Sequence, residues 1–222
     1  LVKKTHPFVP SAGGDSSRFS PPLEGRGGGL VSFNLKMLLI GGKTKDDAQL
    51  FILPLAPLFP DRKLYSHGAK TITVQYERIF PHAKSLNMLP SFLAYKKAKE
   101  QGCYDALLVN KHGNILEGTR TNFFTIKDKT IFTPGKEHIL EGVTRQTVLH
   151  VAKQQGFVIE DWDIGVHALH EYDGAFITST GSKIVPVKQI DEFIFPAIPD
   201  ALKELMKLYD AFLEESKGVF GD

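Results

Sequence analysis

The sequence predicts an α+β fold, and three observations point to it. Strand-like segments arrive in closely spaced pairs joined by hairpin-type turns, His112-Gly113-Asn114 and Lys127-Asp128-Lys129. Segments of helical periodicity are scattered among these pairs rather than alternating with single strands, which argues against a doubly wound parallel sheet. The clearest helix comes last: Leu202, Leu205, Met206, Tyr209, Phe212 and Leu213 recur at helical spacing.

Taken in order, residues 11–29 are mostly Gly, Ser and Pro and end in Gly27-Gly28-Gly29. Such a stretch buries little apolar area, so residues 1–33 are expected to be loop or disordered. Residues 36–40 read as a strand stopped by Gly41-Gly42. Residues 49–55 and 69–77 read as two more, the latter carrying the β-rich run Thr71-Ile72-Thr73-Val74. A helix is expected over 88–101, with Leu89, Phe92 and Leu93 on one face and Gly102 as its stop. Strands follow at 105–109, 122–126 and 130–133. A second helix spans 143–155 and stops at Gly156, and a strand returns at 157–164. Strands at 174–178 and 183–189 flank the small polar turn 179–182. The chain shows no internal repeat.

Composition narrows the function. The 222 residues suit one large domain or two small ones. The 27 basic and 25 acidic residues balance to +2, too even for a nucleic-acid footprint or a membrane-surface patch. Cys103 is the only cysteine, so no internal disulfide is possible, which fits a reducing compartment. The longest apolar runs, such as residues 50–58, contain prolines and are too short to span a bilayer. Lys3 and Lys4 precede no apolar signal region, so a cytoplasmic protein is expected.

Several suggestive features carry no chemistry of their own. Ile40-Gly41-Gly42-Lys43-Thr44 resembles the end of a phosphate-binding loop, but Met37 stands where that motif needs its first glycine. His167 and His170 are three apart, not four with a glutamate after the first, so no metal site is expected. Cys103 reads as a buried structural thiol.

Four segments carry more: Phe80-Pro81-His82-Ala83-Lys84-Ser85-Leu86-Asn87, Leu116-Glu117-Gly118-Thr119-Arg120-Thr121-Asn122-Phe123, Glu141-Gly142-Val143-Thr144-Arg145, and Ile177-Thr178-Ser179-Thr180-Gly181-Ser182-Lys183-Ile184-Val185-Pro186-Val187. Each is weak alone. In this order and spacing they resemble the fold-type IV enzymes that use pyridoxal 5'-phosphate (PLP), or class IV aminotransferases. That family includes branched-chain aminotransferases, D-amino-acid aminotransferases and aminodeoxychorismate lyases. The resemblance covers residue 36 to the C-terminus.

The resemblance implies the roles. Lys84 matches the lysine that binds PLP covalently and moves a proton, a task that partial desolvation of its amine favours. Glu117 matches the carboxylate that holds the pyridine nitrogen protonated. Val143 and Thr144, just after Gly142, match the helix N-terminus that receives the phosphate, and Thr180 with Ser179 beside it matches the turn that adds a hydroxyl. A homodimer is implied in the same way. Met88 departs from the branched-chain pattern, in which a tyrosine reaches the cofactor's ring hydroxyl; a thioether cannot donate a hydrogen bond. The family's small N-terminal domain gives the phosphate an arginine from farther upstream than this chain extends. The chain is therefore expected to lack most of that domain, with residues 34–80 as its remnant and linker and 81–222 as the PLP-binding large domain.

The function implied is amino transfer between an amino acid and a 2-oxo acid, with branched-chain or hydrophobic substrates first and D-amino acids close behind. The alternatives are an aminodeoxychorismate lyase and a non-catalytic PLP-binding remnant.

Overall fold

In the computed structural model, residues 34–55 and 60–218 are described. The segment 1–33, expected to be disordered, lies outside them. Contacts divide the chain into a unit ending at Leu58 and one beginning at Phe59.

The described part of the first unit is an antiparallel hairpin of β1 (Asn34–Ile40) and β2 (Gln49–Leu55), in register from Ile40 opposite Gln49 to Asn34 opposite Leu55. Its connection contains the glycine-lysine segment that resembles a phosphate loop. Thr44 donates to Asp47 Oδ2 from both its backbone N–H (3.1 Å) and its hydroxyl (2.9 Å), closing a short local turn.

The second unit opens with α1 (Lys63–His67) and builds a ten-stranded sheet. Its strands are β3 (Ala69–Gln75), β4 (Asp105–Val109), β5 (Asn114–Gly118), β6 (Asn122–Lys127), β7 (Thr130–Thr133), β8 (Val158–Asp161), β9 (Ile164–Gly165), β10 (Gly174–Ser179), β11 (Lys183–Ile190) and β12 (Phe193–Ile194). The order is β8-β7-β6-β10-β11-β3-β4-β5-β9, with β12 on β11. One further pairing, β5 with β6 through Glu117 opposite Asn122, closes the path β6-β10-β11-β3-β4-β5 into a ring. The pairs β11–β3, β3–β4 and β7–β8 are parallel and the rest antiparallel, a mostly antiparallel mixed sheet in keeping with the α+β class.

Three apolar clusters follow from the two-residue period of the strands. Leu107, Ile115, Phe123, Ala175, Ile177 and Val185 all belong to one cluster, drawn from every side of the ring, which places it inside. Their neighbours Phe124, Ile126, Phe176 and Ile184 point the other way. They pack under α3 (Val143–Gln154) and α4 (Asp200–Gly218), meeting Val148, Ala152, Leu202, Leu205 and Tyr209. The Phe124 and Phe176 rings stack with centroids 4.7 Å apart. On the far side, Ile72, Ala106 and Leu108 meet Ala94, Ala98 and Cys103 beneath α2 (Leu89–Glu100). With both faces covered, β4, β6 and β10 are buried along nearly their whole length rather than at alternate residues.

Gly102 (φ +70°) and Gly156 (φ +79°) end α2 and α3 in the left-handed conformation that glycine adopts without strain. Three elements differ from expectation. Residues 114–118 form a strand, because β4 and β9 flank them on either side. The strand expected over 157–164 breaks after Asp161: β8 runs parallel to β7, and β9 then leaves to pair with β5. The second unit begins at Phe59, upstream of residue 81, because β3 lies between β11 and β4 in the ring. No helix among the described residues is long and apolar enough to cross a membrane. Cys103 is buried, and that burial raises its thiol pKa, so it makes a poor nucleophile. No group of three or more potential ligands stands together among the described residues, His167 and His170 included.

Candidate active site

The turn from β5 to β6 is built around a buried carboxylate. Asp105, at the start of β4, is fully buried. It accepts hydrogen bonds from the Thr119 hydroxyl, from the Thr121 hydroxyl (2.9 Å) and from the Ala106 N–H (2.8 Å). Gly118 has no room for a β-carbon, which would meet Thr121 Oγ1 and Asp105 Oδ2. Glycine at 118 and threonine at 119 and 121 are thus required by the way the turn wraps Asp105. The turn fixes the two residues that close the ring, Glu117 and Asn122.

Glu117 is 3% exposed. Its Oε1 lies 2.8 Å from Arg78 Nε, but neither atom has an aligned hydrogen bond, so the pair is a contact of charges. Its Oε2 accepts from the Leu140 N–H at 3.3 Å. Burial raises its pKa from 4.5 to about 7, outweighing the Arg78 charge and the Leu140 N–H, with Asp105 pushing the same way as burial. Arg78 also donates through Nη2 to the Thr119 carbonyl at 3.2 Å.

Asn122 donates from Nδ2 to the Leu140 carbonyl at 2.7 Å, drawing the segment before α3 against β6. Gly142 precedes α3 with ordinary dihedrals (φ −64°, ψ 141°). What excludes a side chain there is Asn122 Oδ1, which a β-carbon would meet. No side chain caps α3, so its first N–H groups are left for a ligand. Thr144 Oγ1 donates to Thr180 Oγ1 at 3.4 Å. The Ser179 hydroxyl is engaged in its own turn, 2.6 Å from Ser182 Oγ and accepting from the Ser182 N–H. Arg145 of the same motif is turned aside, 3.9 Å from Glu141 and 4.0 Å from Asp161.

Lys84 sits on the irregular stretch between β3 and α2. It lines one cavity of about 300 Å³ together with Glu117, Val143, Thr144, Ser179 and Thr180, so all six residues singled out in the sequence come together. The expected desolvation of Lys84 is not found: its side chain is exposed among the described residues. Val143 is 77% exposed and would contribute its backbone N–H. Met88 lines the cavity too, as do three residues that sequence reasoning missed: Arg78, Arg120 and Thr178. Nothing in the sequence marks Arg78 beyond its position shortly before Lys84, because the partnership with Glu117 is made only by the fold.

Two features of the cavity suit PLP. Glu117 Oε1 and Thr178 Oγ1 are buried polar atoms without a hydrogen-bond partner. The uncapped start of α3, flanked by Thr144 and Thr180, has the free N–H groups and hydroxyls that suit an anion. A ring bearing an N–H and a phosphate would meet both needs, and the volume falls at the small end of cofactor pockets.

Comparison with known proteins gives the chain's family. The provisionally named branched-chain-amino-acid aminotransferase of Methanocaldococcus jannaschii is 37% identical over 145 residues, 63% of this chain and 49% of that protein. The D-alanine aminotransferase of Bacillus licheniformis is 33% identical over 137 residues, 61% of this chain and 48% of that protein. The chain thus spans about half the length of these relatives. The crystal structure of the branched-chain aminotransferase of Thermoproteus uzoniensis with norvaline superposes with a TM-score of 0.66 at 25% identity, covering 73% of this chain and 56% of that one. The sequence profile of the family described as amino-transferase class IV matches residues 27–190. Since that match runs from upstream of β1 to the end of β11 and takes in all four motifs, the chain belongs to the class IV aminotransferase family.

Proposed function

We propose that this chain binds PLP in the cavity between Lys84 and α3 and serves amino transfer between an amino acid and a 2-oxo acid. The observation that carries the reading is the convergence of Lys84, Glu117 and the uncapped start of α3 on one cavity. PLP, when bound, supplies an aldehyde that condenses with amines and a ring that takes up the electron pair left by the departing α-proton.

The chain's own residues do the rest. Lys84 offers the amine that attaches the cofactor and then carries the proton between the substrate's α-carbon and the cofactor. Glu117, titrating near 7, holds or shares a proton at the ring nitrogen. The first N–H groups of α3 and the hydroxyls of Thr144 and Thr180 face the phosphate. Met88, Leu140 and Val143 give the cavity an apolar side. The names of the M. jannaschii and T. uzoniensis relatives favour branched-chain substrates. The name of the B. licheniformis relative, together with this chain's Met88 in place of a hydrogen-bond donor, keeps D-amino acids close behind. We also infer a homodimer. Leu86, Leu89, Phe92 and Leu93, at or near Lys84, are each more than half exposed, and a second copy would cover them.

The test is a PLP titration followed by a panel of L- and D-amino acids. A visible absorbance band that amino donors bleach, with the matching 2-oxo acid released, supports the reading. A chain that takes up PLP but bleaches with no donor would leave it a non-catalytic binding unit.

A further inference from the structure

Three cations line the cavity: Arg78, Lys84 and Arg120. Arg78 is committed to Glu117 and to the Thr119 carbonyl. Lys84 is the amine. Arg120 is exposed, and among the described residues it has no carboxylate partner and no hydrogen-bond acceptor for any of its N–H groups. It is nonetheless held in place. Its neighbours on both sides, Thr119 and Thr121, are tied by their hydroxyls to the buried Asp105, which fixes the backbone at residue 120. Its guanidinium carbon lies 4.1 Å from the centroid of the Tyr95 ring, which reaches over from α2. Contact with a ring face leaves the N–H donors of a guanidinium available.

A surface arginine with no task would be mobile and solvated. Here two elements hold an unpaired guanidinium beside the amine that would do the chemistry. Both substrates of amino transfer carry a carboxylate, and a planar fork of donors matches that group in bidentate fashion. Holding the fork in advance reduces the ordering that binding would otherwise require.

We propose that Arg120 receives a carboxylate of the substrate, which makes it a specificity-determining residue; this rests on the transaminase reading above. The anion site at α3 is left to the phosphate. Two carboxylates share this chemistry, the one beside the reacting carbon and the one on the side chain of a dicarboxylic amino acid, and substrate choice separates them.

The experiment measures calorimetric binding of 4-methyl-2-oxopentanoate and of 2-oxoglutarate to the wild-type chain, Arg120→Met and Arg120→Lys, with PLP affinity measured in parallel. Arg120→Met keeps the stem against Tyr95 and removes the charge; Arg120→Lys keeps the charge without the fork. Loss of one charge-assisted contact corresponds to about a ten- to hundredfold weakening in Arg120→Met, with an intermediate value in Arg120→Lys and PLP affinity unchanged. An equal loss for both 2-oxo acids assigns Arg120 to the carboxylate beside the reacting carbon; a loss confined to 2-oxoglutarate assigns it to the side-chain carboxylate. KM for the corresponding amino donors should rise in step. Undiminished binding of both acids in Arg120→Met overturns the proposal. So does a variant that loses PLP instead, because Arg120 would then face the phosphate. So does a wild-type chain that binds neither acid. A wild-type chain that binds the acids through Arg120 but turns over no donor overturns the transaminase reading and leaves Arg120 as the carboxylate receptor.

Discussion

Arg78 Nε lies 2.8 Å from Glu117 Oε1, yet the Glu117 carboxyl still titrates at about 7. A neighbouring guanidinium ordinarily pulls a carboxylate well below its usual range. Here the burial of Glu117 outweighs it, because the contact is not aligned as a hydrogen bond and only the Leu140 N–H completes the shell. A carboxyl poised near neutrality can leave its proton with a ring nitrogen or keep it.

That shift makes stability depend on pH. The folded pKa of Glu117 lies above its unfolded value of 4.5, so the group's contribution is fully present below about 4.5 and is lost as pH rises through about 7. At ~1.4 kcal/mol per unit, the loss amounts to about 3 kcal/mol. Glu117→Gln removes this dependence. Urea unfolding at pH 4.5 and pH 8 should show the variant gaining on the wild type by about that amount at the higher pH. Parallel pH profiles for the two proteins would place the Glu117 carboxyl at an ordinary pKa. In the PLP-loaded chain the same variant should slow α-proton removal by about 10²-fold or more, since tenfold corresponds to only ~1.4 kcal/mol of barrier.

Lys84 is exposed, so Lys84→Ala should leave stability within about 0.5 kcal/mol. It should abolish covalent attachment of PLP. Borohydride reduction of the wild-type chain with PLP should tag the peptide containing Lys84, as read by mass spectrometry. A tag on Lys96, Lys97 or Lys183 would move the chemistry elsewhere.

Asp105→Asn keeps the shape and removes the charge from the acceptor of two threonine hydroxyls and an N–H. Hydrogen bonds to a charged group contribute about 1.5–3 kcal/mol each, and the amide retains part of them. A destabilisation of about 2–4 kcal/mol is expected by urea unfolding. PLP affinity should fall as well, because the turn that holds Glu117 loosens. A stable variant with weakened PLP binding would show that the clamp serves the site more than the fold.

The periodic elements were legible in the sequence because their patterns are local. The stretch 202–213 repeats at helical spacing, and the runs 105–109 and 122–126 are mostly apolar and buried along their whole length because both faces are covered. The strand 114–118 was not legible, since Asn-Ile-Leu-Glu-Gly ends in a charge and a glycine whose reasons are tertiary: Glu117 faces Arg78, and Gly118 wraps Asp105. The closing of the sheet between Glu117 and Asn122 joins strands through a turn that looks like any polar loop. Lys84, Glu117, Val143, Thr144, Ser179 and Thr180 were legible only as ordered motifs. Arg78 and Asp105 were not, because a buried pairing between distant segments leaves no spacing to read.

Two glycines separate the site from the scaffold, and they give the last prediction. Gly142 has dihedrals that any residue adopts, and what forbids a side chain there is Asn122 Oδ1. Gly156 is the reverse: nothing lies within 4 Å of where its β-carbon would be, but its φ of +79° is left-handed. Gly156→Ala therefore acts through the backbone alone and should cost about 1 kcal/mol, with no effect on the cavity. Gly142→Ala must push Asn122 aside, break its hydrogen bond to the Leu140 carbonyl, or shift the first turn of α3. Each of these moves N–H groups that would face the phosphate. PLP affinity should fall by about tenfold or more, since one misplaced charge-assisted contact is enough for that. Denaturation midpoints and PLP titrations of the two variants make the comparison. Gly142→Ala should lose affinity out of proportion to stability, and Gly156→Ala stability without affinity. If both lose only stability, the start of α3 does not hold the phosphate, and the anion site lies elsewhere in the cavity.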